Sequence, residues 1–389
     1  MTMKRMLFFY QGRFSYTNTT VQAGLQAQFP GSEIRGININ DLLKKRPLVL
    51  MANALAAGRQ YGWDLVRRKR DLDDSFFGTS YIFEQVRRLA LEVHRNWPVD
   101  CSFQTQSIFD CSAPGVPHYV YTDHTYESCK EYPIYGRALC TPVRPEWLID
   151  LERGIYEHAT CVFTMSHNVS QTLIAAYGLS ADKVQCVRAG CNALHEQLKA
   201  IPLDLSRYQA KNILFIGKEW ERKGGPELVA AFQRVRQVQA EATLTIAGCR
   251  PKLSEPGVRV VGLIPLDAVA ALYASAAVFC MPSKTEPVGI VFLEAMAAGL
   301  PVIALRLGAA PDFVLDGLTG LTLKPDDIPA LAEALVKLLS APELCRKMGQ
   351  EGRTLVSSNY TWAGTCAALA GRIRGDLGLG ETLPGQARE

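Results

Sequence analysis

The sequence lacks any apolar run that approaches the ~20 residues needed to cross a bilayer as a helix. Near the N-terminus, Lys4 and Arg5 precede only the short apolar stretch from Met6 to Tyr10. This stretch is too short for the apolar region of a signal peptide and is typical of a first strand. We therefore predict a cytoplasmic protein.

The chain also has little net charge and no paired cysteine motif. Its 42 Lys and Arg residues against 38 Asp and Glu residues give +4 over 389 residues, which is too small to indicate a nucleic-acid partner. Eleven cysteines are scattered from Cys101 to Cys366 without a CxxC pair, which favours reduced thiols and gives no metal site. No glycine fingerprint follows the first strand, so a dehydrogenase is disfavoured.

Short apolar segments alternate with helical patterns, most regularly in the second half. Strands are predicted there at 212–216, 243–247, 258–261, 277–281 and 301–305, with helices at 226–238, 266–275, 290–298 and 328–339. The first half has strand candidates at 5–10, 33–37, 118–122, 160–165 and 184–187. Such alternation predicts doubly wound, mainly parallel α/β sheets.

The length exceeds what one hydrophobic core usually serves, which indicates two domains. We predict an N-terminal domain over 1–205, with a mainly helical insert at about 41–98, and a C-terminal domain over 206–360. A helix over 361–375 is predicted to pack back on the N-terminal domain, and 376–389 forms a tail.

The segment from Ala277 to Pro301 carries the clearest chemical signal. A buried strand is followed by a loop that ends at Gly289, and then by a helix that contains Glu294. Ligands of open α/β sheets lie beyond the carboxyl ends of the strands, and a helix N-terminus favours a phosphate. A carboxylate one turn into that helix can accept the hydroxyls of a ribose. The pattern predicts a nucleotide site, although the spacing of Glu286 and Glu294 alone would not.

Residues 279 to 305 resemble the signature of the family 4 retaining glycosyltransferases (glycosyl transferases group 1). The resemblance rests on Glu286-Pro287-Val288-Gly289 and Leu293-Glu294-Ala295-Met296-Ala297-Ala298-Gly299-Leu300-Pro301-Val302, and it extends back to Phe215-Ile216-Gly217-Lys218 and Arg222-Lys223-Gly224. It implies the GT-B fold, in which two Rossmann-like domains face each other across the active-site cleft.

The resemblance also implies roles for individual residues. Glu294 would bind the donor ribose, Glu286 would contact the transferred sugar, and Lys218 and Lys223 would neutralise the diphosphate. Lys218 stands where the family commonly has arginine, and Val288 stands where an aromatic residue is common. The remaining donor-binding candidates are Val288, Gly289, Ile290, Gly262, Leu263 and Ile264. Glu286 and Lys223 are candidate catalytic residues, because they would act on the sugar and on the leaving group.

Two candidates come from the N-terminal half. His124 follows the strand at 118–122 and matches a family histidine that lies beside the donor sugar, so it is a catalytic candidate. A capping or core histidine is the alternative. Gly12 follows the first strand, where the family has a glycine-rich turn near the donor phosphate, but the paired glycines are absent here.

The resemblance implies a hexosyltransferase that moves a sugar, with retention and without a metal or other cofactor, from a nucleoside-diphosphate sugar to an acceptor. The acceptor would be a glycan, a lipid or a small molecule. A sugar-nucleotide epimerase and a non-catalytic nucleotide-sugar-binding protein are alternatives. A metal-dependent transferase would need an Asp-x-Asp motif, and Asp71-x-Asp73 follows four basic residues in the helical insert, where a solvated face is favoured.

Basic clusters at 44–46, 67–70 and 87–88 are interleaved with apolar residues such as Trp63. A solvated helix face is the simpler interpretation. Peripheral contact with an anionic membrane, at its inner surface, is the alternative that the family offers for lipid acceptors.

Overall fold

The computed structural model describes residues 3–12, 14–67, 72–129, 146–192 and 195–379. These residues divide into two compact units. Unit 1 takes its described residues from 3–165, 169–187 and 362–379, and unit 2 takes them from 166–168 and 188–361. Among the described residues, we find no helix that combines the length and the apolar character needed to span a bilayer.

Each unit contains one parallel six-stranded sheet. The strands of unit 1 are β1 (Arg5–Tyr10), β2 (Glu33–Asn38), β3 (Cys101–Thr105), β4 (His118–Thr122), β5 (Cys161–Thr164) and β6 (Val184–Cys186). Those of unit 2 are β7 (Asn212–Ile216), β8 (Thr243–Ala247), β9 (Val258–Gly262), β10 (Val278–Cys280), β11 (Val302–Leu305) and β12 (Gly320–Leu323). The sheet orders are β2-β1-β3-β4-β5-β6 and β12-β11-β10-β7-β8-β9.

The α-helices connect these strands and cover the sheets. They are α1 (Thr17–Gln28), α2 (Ile39–Lys44), α3 (Pro47–Val66), α4 (Leu72–Phe77), α5 (Ser80–Asn96), α6 (Glu146–His158), α7 (His167–Ala175), α8 (His195–Lys199), α9 (Leu205–Gln209), α10 (Gly225–Val238), α11 (Leu266–Ala274), α12 (Ile290–Ala297), α13 (Ile328–Leu339), α14 (Pro342–Asn359) and α15 (Trp362–Asp376). The predicted α/β class with two Rossmann-like domains is confirmed.

Strand β3 was not predicted, because its sequence mixes apolar and polar residues although every position is buried. Polar residues of β3 can be buried because they form hydrogen bonds with a core histidine, His118, on the neighbouring strand β4. The Nδ1 atom of His118 lies 2.7 Å from the Ser102 hydroxyl, and its Nε2 atom lies 2.9 Å from the Gln104 side-chain oxygen. Burial lowers the pKa of His118 to about 3, so the ring is neutral.

The strand order places a switch point in each sheet. In unit 2 the chain runs from β7 to β8 and β9 on one side, and then returns to β10 on the other side of β7. In unit 1 the corresponding reversal lies between β1 and β3. Open α/β sheets bind ligands at the carboxyl ends of the strands beside such a point. The loops after β7 and β10 are therefore the expected ligand-binding loops of unit 2.

The chain returns to unit 1 at its C-terminal helix. Helix α15 packs on α1 at Gly24, where an added Cβ would lie 2.3 Å from the Cys366 sulfur, and Arg374 donates a hydrogen bond to the Gln28 carbonyl. Residues 188–205 join unit 2, where our sequence-based boundary had assigned them to the first domain. They do so because helix α8 in this segment packs on α11 and α12 of unit 2.

Candidate functional site

A buried ion pair lies at the switch point of unit 2. Lys223 comes from the loop after β7, and Glu286 comes from the loop after β10. The Nζ atom of Lys223 bonds to the Oε2 atom of Glu286, and the two side chains are only 12% and 9% exposed. The structure thus brings two predicted catalytic residues into direct contact, although they are 63 positions apart in sequence.

The two loops that carry this pair are joined through their backbones. Gly224 adopts a left-handed conformation (φ 74°), and a Cβ there would fall 2.0 Å from the Pro282 carbonyl oxygen. The Lys284 amide donates to the Arg222 carbonyl over 2.9 Å. In return, the Arg222 guanidinium donates to the Thr285 carbonyl over 2.6 Å. Only glycine at position 224 allows this close approach.

Two further glycines enclose Glu286. A Cβ at Gly308 would lie 2.2 Å from the Glu286 carbonyl oxygen, and one at Gly289 would lie 2.9 Å from the Glu286 Cγ atom. Both glycines have positive φ. Gly289 also precedes the first residue of α12, so that Val288, Gly289 and Ile290 lead from the loop into the helix N-terminus. This N-terminus carries the positive end of the helix dipole, which attracts an anion.

Glu294 lies one turn into α12. The hydroxyl of Tyr273, on α11, is 3.1 Å from its Oε2 atom and 3.3 Å from the Val291 carbonyl. Burial raises the pKa of the Glu294 carboxyl to about 7, and the Tyr273 hydrogen bond opposes that rise. Glu294 can therefore change its charge near neutral pH. No sequence signal marks Tyr273, because it lies within an ordinary helical pattern.

A glycine follows or ends each of the strands β7, β8 and β9. The Gly217 amide donates to the Ala247 carbonyl over 3.0 Å, and the Gly248 amide donates to the Gly262 carbonyl over 2.8 Å. A Cβ on Gly248 would lie 2.9 Å from the Gly217 carbonyl oxygen. At each glycine of this glycine ledge (Gly217, Gly248 and Gly262), an added Cβ would meet other atoms of the protein at 3.1, 2.9 and 2.5 Å, so the absence of side chains lets the three strand ends lie close together. Gly248 was not predicted as part of the site.

Three predicted donor-binding residues border the ledge. Lys218 directly follows Gly217 and is exposed. Leu263 and Ile264 follow Gly262, and Leu263 is 67% exposed. All the predicted donor-binding residues except Gly12 thus lie at the carboxyl ends of strands in unit 2, or in the first turn and a half of α12.

Gly12 and His124 belong to unit 1. Gly12 is the second residue after β1 and has φ 61°. Its carbonyl accepts a 3.0 Å hydrogen bond from the Asn18 side chain. His124 follows β4, and its carbonyl accepts a 2.9 Å hydrogen bond from the Thr122 hydroxyl. Both residues lie at the carboxyl end of the unit 1 sheet. Asp71, from the Asp-x-Asp motif, lies outside the described residues.

The sequence matches known glycosyltransferases. Residues 210–341 match the family model of the glycosyl transferases group 1. The chain is 26% identical over 231 residues to the glycogen synthase of Mycobacterium tuberculosis (strain CDC 1551 / Oshkosh), covering 57% of this chain and 55% of that protein. It is 37% identical over 172 residues to the GDP-mannose-dependent alpha-(1-6)-phosphatidylinositol monomannoside mannosyltransferase of Mycolicibacterium smegmatis (strain ATCC 700084 / mc(2)155), covering 40% and 45%. The chain thus spans about half the length of these relatives.

The fold is shared over almost the whole chain with a solved structure, the sucrose-phosphate synthase from Thermosynechococcus elongatus. The TM-score is 0.66 at 18% identity, and the match covers 96% of this chain and 99% of that one. This likeness, together with the two parallel sheets, confirms the predicted GT-B fold class. The resemblance noted in the sequence is likewise confirmed at the level of the glycosyl transferases group 1, whose family model residues 210–341 match.

Proposed function

We propose that this protein is a retaining hexosyltransferase that uses a nucleoside-diphosphate sugar as its donor. The observation that carries the proposal is the Lys223–Glu286 ion pair at the switch point of unit 2, beside the N-terminus of α12. An ammonium group and a helix N-terminus suit a diphosphate. Glu294 and its Tyr273 partner, one turn further along α12, suit a ribose diol.

The ion pair is consistent with a donor-binding step in which Lys223 exchanges Glu286 for the diphosphate. Without a donor, Lys223 and Glu286 compensate each other's charge in a site that excludes most water. We propose that the donor diphosphate takes over Lys223, which leaves the Glu286 carboxylate to accept a hydroxyl of the transferred sugar. As the bond between the anomeric carbon and the diphosphate breaks, negative charge grows on the leaving group. Fixed positive groups stabilise that charge.

We propose that transfer occurs on the face from which the diphosphate departs, without a metal. The acceptor hydroxyl forms the new bond to the anomeric carbon, and its proton passes to an oxygen of the departing diphosphate. This step explains retention without a separate carboxylate base. His124 would stabilise the positive charge that develops on the sugar, and Gly12 would let the backbone approach the donor. These last two roles rest on the family resemblance.

The donor site is tested by isothermal titration of the protein with UDP, GDP and ADP. We expect one of them to bind, and Lys223→Met to weaken that binding at least about tenfold through the loss of one charge-assisted contact. The control is Lys211→Met, because Lys211 also pairs with a glutamate, Glu241, but precedes β7 at the opposite end of the sheet. If no nucleotide binds, or if both variants bind equally well, the site is wrong.

Turnover separates the proposed transferase from its alternatives. The protein is incubated with UDP-glucose and GDP-mannose, with and without maltose or phosphatidylinositol as trial acceptors, and nucleoside diphosphate release is measured. Release that increases with an acceptor supports transfer. Conversion of the sugar nucleotide into an isomer would show an epimerase, and binding without any turnover would show a non-catalytic protein. Activity that disappears in EDTA would contradict the metal-free mechanism.

We further propose that unit 1 contacts anionic membranes through one face of α3. This α3 face consists of apolar residues that are 65–78% exposed: Leu48, Met51, Leu55, Trp63 and Val66. Their spacing is three or four positions, except between Leu55 and Trp63, where Arg59 lies midway. Arg67 lies over the Trp63 ring at 5.2 Å. Lys45 is exposed beyond the other end of the helix. An apolar face with cations at both ends suits anionic headgroups.

A second copy of the chain fits the α3 face less well, because pairing two such faces would bring cations together. The predicted cluster at Arg87 does not contribute to this surface. Arg87 donates to the Ser112 hydroxyl over 3.0 Å and pairs with Asp110, so it is a structural cation. Residues 68–70 of the second cluster lie outside the described residues.

Vesicle co-sedimentation tests the membrane proposal. We expect binding to phosphatidylcholine vesicles only when they contain phosphatidylglycerol, and weaker binding at high salt. Leu55→Ser with Trp63→Ser should reduce binding by about tenfold or more, because two apolar side chains no longer enter the interface. The control is Val238→Ser, a 71% exposed apolar residue at the end of α10. Equal binding by all variants, or no binding at low salt, would remove the proposal.

A further inference from the structure

A buried carboxyl group in unit 1 lies below the loop that carries His124. It belongs to Glu152, which is only 2% exposed. On α6, Glu152 lies within the same buried stripe as Leu148, Ile149, Ile155 and Tyr156. A charged residue in a core stripe costs folding free energy unless it is fully hydrogen-bonded. The hydrogen bonds of the Glu152 carboxylate therefore indicate its structural role.

One carboxylate oxygen of Glu152 holds the loop after β4. The Oε2 atom accepts a 2.8 Å hydrogen bond from the Tyr126 amide, and it also accepts one from the Tyr177 hydroxyl. The same Tyr177 oxygen accepts a 3.2 Å hydrogen bond from the Glu127 amide. Two consecutive amides of the loop are thus tied, directly and through Tyr177, to a single oxygen atom.

The other oxygen connects Glu152 to the rest of the unit. The Oε1 atom accepts hydrogen bonds from the Ser107 hydroxyl over 2.8 Å and from the Tyr156 hydroxyl over 2.9 Å. The Ser107 oxygen lies 3.4 Å from the Thr122 hydroxyl oxygen, and Thr122 in turn donates to the His124 carbonyl over 2.9 Å. Because Ser107 donates its single proton to Glu152 and Thr122 donates its own to His124, the 3.4 Å approach is a contact and not a hydrogen bond. The hydrogen-bonded network therefore holds the loop at Tyr126 and Glu127, directly after His124 and Thr125.

We propose that Glu152 is a positioning residue that holds the loop from Thr122 to Glu127, and with it His124, in place. The inference rests on the catalytic role proposed for His124. Four donors converge on two oxygens, an arrangement that an ionised carboxylate satisfies completely and that an amide cannot. Burial raises the pKa of Glu152 to about 7, against the four hydrogen bonds that lower it, so the network weakens when Glu152 gains a proton.

Two tyrosines provide a matched pair of variants. Tyr177→Phe and Tyr156→Phe each remove one hydroxyl that donates to Glu152, and both residues are buried. Only the Tyr177 hydroxyl also accepts from a loop amide, that of Glu127. Glu152→Gln is the stronger change, because its amide nitrogen would face two donors. If that variant fails to fold, the tyrosine pair still decides the question.

Hydrogen exchange at the Tyr126 and Glu127 amides is measured first. We expect at least about tenfold faster exchange in Tyr177→Phe and Glu152→Gln, since a lost hydrogen bond of about 1.4 kcal/mol corresponds to tenfold. Tyr156→Phe should exchange at those amides as the wild type does. Equal exchange in the two tyrosine variants would overturn the proposal. This measurement needs no substrate, so it stands even if the proposed transferase activity is not found.

Nucleoside diphosphate release from UDP-glucose or GDP-mannose is measured next. We expect kcat to fall about ten- to a hundredfold in Tyr177→Phe, as for a displaced catalytic group. The donor KM should stay within about twofold, because the proposed donor groups other than Gly12 belong to unit 2, and a positioning residue held on α6 changes no ground-state contact with them. A rise in KM at constant kcat would contradict the positioning role. A different result would remove the role proposed for His124 instead. In that case Tyr177→Phe exchanges faster than the wild type, but both Tyr177→Phe and His124→Ala keep the wild-type kcat.

Discussion

Glu294 combines deep burial with a proposed function that requires its negative charge. An ionised carboxylate can accept two ribose hydroxyls, whereas the protonated form must donate at one oxygen. Because burial raises its pKa to about 7, the fraction of ionised Glu294 changes most between pH 8 and pH 6. Tyr273 lowers that pKa and fixes the carboxyl orientation.

We therefore predict that donor affinity falls as the pH decreases through neutrality. Between pH 8 and pH 6 the affinity for a sugar nucleotide should fall about tenfold, as for one group with a pKa near 7. A sugar nucleotide is the appropriate probe, because its diphosphate diester keeps its charge over this range. Glu294→Gln should bind more weakly and show a flat profile in isothermal titration. The control is Glu333→Gln, an exposed helix residue; an unchanged slope in Glu294→Gln would contradict the assignment.

The same carboxyl also affects stability, with the opposite sign. A pKa raised from 4.5 to about 7 on folding means that the folded state prefers the protonated form. The stability that this preference contributes is fully present below about pH 4.5, and it is lost as the pH rises through about 7. Glu152 has the same shift. Both residues therefore decrease the free energy of unfolding at the pH at which the proposed chemistry needs their charge.

Individual residues also differ in how far sequence alone reveals them. Glu286 and Glu294 were identified because a strand, a glycine and a helix start lie around them. Glu152 has no such motif, yet it does have a signal: it occupies an apolar position in a helical pattern with Leu148 and Ile155. Tyr273 has none, because its relation to Glu294 depends on how α11 and α12 pack. Contacts between elements cannot be deduced from the period of either element.

At the scale of elements, glycines determine how closely the loops of unit 2 approach each other. Gly224 is the N-cap residue of α10, has a left-handed conformation and lies against the Pro282 carbonyl. This contact joins the loop of Lys223 to the loop of Glu286. The strand ends and the switch point were predictable from the alternating pattern. The contact itself was not, because it depends on a distance between two loops that no local pattern encodes.

We predict that Gly224→Ala disturbs the site more than its size suggests. The new Cβ would fall 2.0 Å from a backbone oxygen, and alanine disfavours φ 74°, so we expect a loss of about 1–3 kcal/mol in the free energy of unfolding. Nucleotide affinity should fall with it, because the two loops must separate. The control is Gly58→Ala on α3, where nothing lies within 4 Å and a gain of about 0.5–1 kcal/mol is expected. Urea unfolding and isothermal titration measure both; wild-type affinity in Gly224→Ala would refute the argument.

At the scale of the whole molecule, the chain builds two sheets and then returns to the first. The continuously buried strands, such as β10 and β11, were predictable, because parallel strands covered on both faces are apolar throughout. The end of the first domain was harder to predict from the sequence. Residues 188–205 contain turn-forming residues that resemble a linker, but their helices pack on unit 2. Burial of these helices, rather than local composition, decides the boundary.

Because the chain returns to unit 1 at α15, we predict that the stability of unit 1 depends on this helix. Gly24→Val should push α15 away from α1, because even a Cβ would lie 2.3 Å from the Cys366 sulfur, and overpacking of this kind costs about 1–3 kcal/mol. Gly371→Val, on α15, is the control, since a Cβ added at Gly371 would have nothing within 4 Å. In calorimetry, we expect two unfolding transitions, one for each unit. Gly24→Val should lower the midpoint temperature of the transition that added nucleotide does not shift. The nucleotide-stabilised transition should belong to unit 2 and keep its midpoint, because a ligand stabilises the unit that binds it. A fall in both transitions would show that α15 supports unit 2 as well.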